Sequence, residues 1–369
     1  QTGWRIAPED CAAAFAALAP DLREALELAA ARIRAYHVKQ RPGDLAFTDD
    51  AGVRLGARWR AVDAAGVYVP GGRAAYPSTL LMNAIPAKVA GVERLVVVTP
   101  TPNGEVNPLV LAAAHLAGAD EVWRVGGAQA IAALAWGTDR IARVDVVTGP
   151  GNAWVAEAKR QVYGVVGIDM VAGPSEIVVI ADGANDPEWI AADLLSQAEH
   201  DVTTQSILFT EDAAFADRVT GAVERQLATL PTGETARVAW ETNGAIILVP
   251  TLADACPLTD RLAPEHVEIA TDDPHALFDR LRHAGSAFLG RHTPEAIGDY
   301  VAGPNHVLPT GRRARFASGL GVTDFMKRTS FLELDAAALG KLGPATVALA
   351  DAEGLPAHAA SVALRLAKG

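Results

Sequence analysis

Three short stretches hold the residue types that chemistry needs. Gln197 and His200 stand three apart at the close of a helical pattern, so both point to one helix face and could hold one metal ion. A lone pair of this kind fits a histidine capping a helix end equally well. Ala263-Pro264-Glu265-His266 sets a carboxylate beside an imidazole, the side chain best matched to proton transfer near neutral pH. Neighbours in a helix or strand point different ways, so Glu265 and His266 would act on different atoms. The plainer reading is a helix start with an acid in its first turn. Asp299 and His306 fall in a Gly- and Pro-rich segment, 298–306, too irregular for regular structure and hence a candidate binding loop. His358 lies far beyond it, in the tail, and spacing alone does not bring it to His200 or Asp299. Ser175 lacks G-x-S-x-G flanks, which argues against a serine hydrolase.

Three glycine-rich turns add a second chemistry. Val69-Pro70-Gly71-Gly72, Val125-Gly126-Gly127-Ala128-Gln129 and Thr148-Gly149-Pro150-Gly151-Asn152 each join a strand pattern to a helix start. Free backbone N–H groups and the helix dipole can hold a phosphate there. None is a G-x-G-x-x-G fingerprint, because Trp154 stands where the third glycine should be. One such turn needs no more than conformational freedom as its reason. Three in one lobe, at the carboxyl ends of parallel strands, point to a ligand crevice.

The elements that must position these residues alternate in type. The first sixty residues read as helical, with Leu22, Ala25, Leu26, Ala29 and Ile33 at spacings of three and four, followed by a hairpin over 44–60. From Val67 short β-branched runs (67–69, 95–98, 121–125, 144–147) are separated by Ala- and Leu-rich helical stretches. A second series follows, with strands predicted at 177–180, 205–209, 245–249 and 287–289 and helices at 186–197, 213–230 and 276–283. This alternation predicts parallel β-α-β units with helices on both sheet faces. After Thr310 the chain turns basic and irregular, and two further helices, at 336–342 and 345–353, lead to the tail.

Composition excludes several classes. With 32 Lys plus Arg against 44 Asp plus Glu, net charge −12, and no basic run, nucleic acid is not an expected partner. No apolar stretch reaches the length of a membrane span, and no secretory leader is visible. Cys11 and Cys256 form no CxxC pattern, so a reducing, cytoplasmic setting is expected.

The motifs then assemble in order. Tyr68-Val69-Pro70-Gly71-Gly72, Tyr76-Pro77-Ser78-Thr79, the 126–134 turn and helix, Gly149-Pro150-Gly151-Asn152, Gly167-Ile168-Asp169, 172–176, 193–200, 263–266 and 298–310 follow the order of the histidinol dehydrogenase family, which the chain resembles from about Ala25 to its end. The resemblance implies an enzyme that oxidises L-histidinol through L-histidinaldehyde to L-histidine with two NAD and Zn2+, in the last steps of histidine biosynthesis. By the same resemblance Gln197, His200, Asp299 and His358 are zinc ligands, and Glu265 and His266 the acid–base pair. Ser175, Gln197, His200, His266, Asp299, His306, Glu353 and His358 face the substrate, and Tyr68, Gln129 and Asn152 contact NAD. The family also implies a homodimer with sites shared between subunits, and a helical segment before Gln1 that clasps the partner.

The expected plan is α/β, with two Rossmann-like lobes of mostly parallel sheets, a helical N-terminal piece and an extended C-terminal arm. Residues 1–66 form the N-terminal helical segment and hairpin packing on the second lobe, 67–174 the NAD-binding lobe, 175–310 the zinc and substrate lobe, and 311–369 the arm. A second reading keeps the family but takes another small polar alcohol, such as a sulfonated diol, as substrate; Glu353 and His358 favour the first. A zinc hydrolase would rest on the His/Asp/Gln cluster alone and lacks H-E-x-x-H. A non-catalytic metal-binding scaffold would have no need of both Glu265 and His266.

Overall fold

In a computed structural model of the chain, residues 3–71 and 76–367 are described; Gly72, in the first glycine turn, lies outside them. The chain divides into two units, Gln1–Gln40 with Val62–Phe325, and Arg41–Ala61 with Met326–Gly369.

The first unit opens with β1 (Arg5–Ile6), α1 (Pro8–Ala16) and α2 (Pro20–Val38). Both helices start on a proline, whose missing N–H costs nothing in the first turn. The buried stripe of α2 is Leu26, Ala29, Ala30, Ile33 and His37, the helical spacing read from the sequence. The hairpin follows as β2 (Leu45–Thr48) and β3 (Arg54–Ala61), paired antiparallel and belonging to the second unit. Asp49 makes its turn, Oδ1 accepting from the Ala51 and Val53 N–H groups at 3.0 and 2.9 Å.

A six-stranded sheet then forms from β4 (Ala64–Tyr68), α3 (Pro77–Ala90), β5 (Arg94–Val98), α4 (Pro108–Ala117), β6 (Glu121–Trp123), α5 (Gly127–Trp136), β7 (Val146–Thr148), α6 (Ala153–Val162) and β8 (Gly167–Ile168). Its order is β1-β6-β5-β4-β7-β8, parallel throughout except for β1 at the edge. From β4 the chain steps to β5 on one side and later to β7 on the other. That reversal opens a crevice at the carboxyl ends of β4 and β7, where the Tyr68 and Gly149 turns lie.

The second sheet has the same construction. Its elements are β9 (Glu176–Ala181), α7 (Pro187–Ala198), β10 (Gln205–Thr210), α8 (Ala213–Leu227), α9 (Gly233–Asn243), β11 (Ala245–Leu248), α10 (Leu252–Leu262), β12 (His266–Ala270), α11 (Pro274–Phe278), β13 (Ser286–Leu289) and α12 (Glu295–Tyr300). All five strands are parallel, in the order β11-β10-β9-β12-β13. Helices cover both faces, so Ile177–Ala181 is buried on both sides and reads as one apolar run. Strand β12 corrects the sequence reading: His266 opens a strand, not a helix. The helix expected over 276–283 is also shorter, ending at Phe278.

The second unit pairs β14 (Met326–Glu333) with β3 along eight residues, giving the antiparallel order β14-β3-β2. Gly56 lies opposite Phe331 in that register, and the ring occupies the space a Cβ at Gly56 would need. The two helices expected over 336–353 are one, α13 (Ala336–Ala352), which runs through Pro344. The tail after Glu353, read without an element, forms α14 (Pro356–Leu366), packed on α13. No helix among the described residues is long and apolar enough to cross a membrane.

Candidate active site

Seven residues singled out from the sequence line one cavity of about 300 Å3 in the first unit: Ser175, Gln197, His200, Glu265, His266, Asp299 and His306. It lies at the amino ends of β9 and β12 and reaches Pro150 and Gly151 of the first sheet's crevice. Tyr68, Gln129 and Asn152 stand at that crevice but not in the cavity wall. Glu353 and His358 belong to the second unit, where both are exposed.

Strand β12 is aimed by the turn before it. Ala263, at φ 47°, is left-handed without being glycine, and it swings the chain from the end of α10 into Pro264 and the strand. A non-glycine residue there costs roughly 1–2 kcal/mol, which the surrounding packing must hold. The gain is placement. Glu265 and His266 both meet the peptide groups of Glu176, first residue of the neighbouring strand: Glu265 Oε2 accepts from the Glu176 N–H at 3.2 Å, and His266 Nδ1 donates to the Glu176 carbonyl at 3.1 Å. That carbonyl fixes the tautomer, leaving Nε2 with its lone pair. The two side chains thus act at different atoms, as the alternation of a strand requires.

Burial sets the electrostatics. It lowers the pKa of His266, which stays neutral at pH 7, although Glu295 pulls the other way. It pushes Glu265 well above the carboxylate range, with Asp299, Glu176 and Glu295 adding repulsion against the Glu176 N–H bond. Asp299 rises to about 8, from burial and then the nearby Glu295. His306 is pushed down to about 4 by burial, while its Nδ1 donates to the Asp299 carbonyl at 2.9 Å and Nε2 lies 3.4 Å from Thr79 Oγ1.

Gln197, the penultimate residue of α7, is wholly buried, and neither amide atom has a partner among the described residues. Orphaned buried amides are rare and ask for a ligand. His200 follows beyond the helix end, its N–H bonded to the Gln197 carbonyl at 3.1 Å and its side chain in the cavity wall. The helix therefore delivers Gln197 alone, and the turn after it delivers His200. Sequence reasoning missed Glu295. Its Oε1 lies 3.4 Å from His266 Nε2, it is 1% exposed, and with His266 and Asp299 it makes a group of metal-capable donors within 4.8 Å of one another. In sequence it looks like an ordinary first-turn acid after Pro294, and nothing local marks it.

The histidinol dehydrogenase family model matches residues 1–366. The chain belongs to the histidinol dehydrogenase family. It is 64% identical over 368 residues to histidinol dehydrogenase of Rhodospirillum rubrum, covering 100% of this chain and 85% of that one. It is also 64% identical, over 366 residues, to the Zymomonas mobilis protein, covering 99% and 85%. The crystal structure of histidinol dehydrogenase from Elizabethkingia anophelis superposes with a TM-score of 0.96 at 36% identity, covering 100% of this chain and 85% of that chain. The α/β class with two parallel-sheet lobes is thereby established. Membership makes the chain an oxidoreductase of the histidine-biosynthesis class, and the matches give no support to a sulfonated diol or other small polar alcohol as substrate.

Proposed function

We propose that this chain oxidises L-histidinol to L-histidinaldehyde and then to L-histidine, using two NAD and a zinc ion, in the cytoplasm and as a homodimer. The observation that carries the reading is the pairing of family membership with Glu265 and His266 on one Glu176 peptide, facing an orphaned Gln197 amide.

Gln197, His200 and Asp299 fit a metal, since a buried amide with no partner sits in the same wall as an imidazole and a carboxylate. His358, exposed in the second unit, is the fourth ligand, and with Glu353 it serves the site of the partner chain. The first sheet fits a dinucleotide at its switch point. Beside it α5 starts after Gly126 with no side-chain cap among the described residues, so the first-turn N–H groups beyond Gly127 stay available to phosphate. Asn152 already spends Oδ1 in capping α6, at 3.1 Å from both the Trp154 and Val155 N–H groups, which leaves its amide NH2 for the cofactor. Gln129 stands in the first turn of α5, and Tyr68 accepts the Gly127 N–H at 3.1 Å. Both cysteines are free and buried, in keeping with a reducing compartment.

A bound NAD would supply the hydride acceptor, and a zinc ion held by Gln197, His200 and Asp299 would supply a Lewis acid that anchors the substrate. His266 Nε2, neutral at pH 7, takes the hydroxyl proton as hydride leaves the same carbon, a contribution of about 10²–10⁴-fold. Glu265 removes a proton from the water that attacks the aldehyde. It must ionise to do so, and a cation within the cavity favours that form. Ser175 and His306 line the same wall and orient the substrate. Purified protein given L-histidinol and NAD should form two NADH per histidinol, followed by nicotinamide absorbance. No NADH from histidinol, with turnover of another alcohol, would refute the assignment.

A further inference from the structure

The buried face of α6 contains Val155, Lys159 and Val162, and a lysine at a core position of a helical stripe needs a reason. Lys159 Nζ pairs with Asp169 Oδ1, both side chains almost wholly buried, and it also donates to the Gly149 carbonyl at 2.9 Å. The other carboxylate oxygen, Asp169 Oδ2, accepts the Gly149 N–H at 2.8 Å, while Oδ1 takes the Met170 N–H at 2.6 Å. One ion pair thus saturates both peptide groups that flank the Gly149 Cα. Gly149 itself has little room for another residue: φ is +106°, and a Cβ would overlap the Tyr68 carbonyl oxygen. The Tyr68 hydroxyl in turn accepts the Gly127 N–H, so the pair is linked through Tyr68 to the second glycine turn.

We propose that Lys159 and Asp169 are a positioning pair for the cofactor: by gripping Gly149 from both sides they hold the turn that carries Asn152, and with it Tyr68, in the conformation that receives NAD. The proposal rests on the NAD-dependent reading above. Stability alone is a poor reason for such a pair, because well-packed apolar residues of similar volume commonly replace a buried ion pair at no loss. What apolar residues do not replace is a donor and an acceptor fixed on the two sides of one glycine.

The test uses the full chain, with NAD as the titrant in calorimetry and no histidinol present. Removing one partner strands a buried charge, so Lys159→Met should lower the melting temperature and weaken NAD binding together. The Lys159→Met/Asp169→Leu double variant removes the stranded charge and should regain part of the melting temperature, the Gly149 and Met170 backbone groups staying without these partners. It should bind NAD about tenfold or more weaker than wild type, the scale of one or two lost hydrogen bonds to a binding turn. In turnover, its KM for NAD should rise more than its kcat falls. A folded double variant with wild-type NAD affinity overturns the proposal. If the double variant does not fold, Asp169→Asn decides: every partner of the Asp169 carboxylate is a donor, so the isosteric amide must turn its NH2 toward either the Gly149 N–H or Lys159 and loosen the grip on one side; NAD affinity equal to wild type overturns the proposal. Wild-type protein that binds no NAD would overturn the underlying reading, and this inference with it.

Discussion

Helix α3 contains Pro86, and a proline has no N–H to give to the carbonyl four residues back. That carbonyl belongs to Met82, deep in the first unit. Asn305 answers it, Nδ2 donating to the Met82 oxygen at 2.6 Å, while its Oδ1 accepts the Val307 N–H at 2.9 Å and Nδ2 also lies 3.3 Å from His37 Nε2. Asn305→Ala leaves the Met82 oxygen and the Val307 N–H buried without partners, at about 1–3 kcal/mol each. The expected loss is roughly 2–6 kcal/mol, a large part of a typical margin of about 5–15 kcal/mol. Urea denaturation measures it. The decisive form is a double-mutant cycle with Pro86→Ala, which returns an N–H to α3 able to bond Met82. In that background Asn305→Ala should cost about 1–3 kcal/mol less, well beyond the ~0.3–0.5 kcal/mol scatter of independent sites. Equal costs in the two backgrounds would refute the substitution of side chain for helix amide. Because Asn305 precedes His306, the same variant should also lower kcat/KM for histidinol.

Burial lowers the pKa of His37, against bonds from its ring to the Ile33 and Leu320 carbonyls that raise it. The unfolded chain therefore takes the proton first: the contribution is fully present above about pH 6.5, declines as pH falls below that, and is gone once pH passes the folded value. Unfolding free energy should drop less between pH 7.5 and 5 in His37→Gln than in wild type, and an unchanged slope would dismiss His37 as the source. Glu265→Gln should slow the aldehyde step by about 10²-fold or more and the alcohol step far less, read by single-turnover NADH formation from each substrate; equal loss in both steps would end this division of labour. Mixing inactive His358→Ala and His200→Ala chains should restore activity, because one site in each heterodimer is then intact. Heterodimers seen by mass measurement without activity would place His358 in its own chain's site.

The sequence discloses an element where burial is two-sided and apolar, as in Leu95–Val98 and Ile177–Ile180, both read correctly to within a residue or two. It hides β12, because His266 and Glu268 interrupt the apolar pattern. Glu268 is buried all the same, hydrogen-bonded through its carboxyl to Asp193, whose own pKa is pushed up to about 6 by burial. Two acids sharing a proton across 75 positions leave no local mark. The residue types of the site were legible from motifs, but not the device that orients them, because the Glu176 N–H and carbonyl are backbone groups that every non-proline residue owns. Pro344 misled for the opposite reason. Proline is the strongest local stop signal for a helix, yet α13 passes through it.

The second unit is assembled from two pieces, Arg41–Ala61 and Met326–Gly369, with about 265 residues of chain between β3 and β14. During synthesis at roughly 5–20 residues per second, β3 therefore waits about 13–50 s for its partner strand. Through that interval the edge of β3 that will meet β14 offers a row of unpaired N–H and carbonyl groups, an open template for any nascent neighbour. Arg54, Arg58 and Arg60 along β3 are the counterweight, since three like charges on one short strand repel a second copy of it. The last strand to leave the ribosome closes an edge exposed near the start of synthesis.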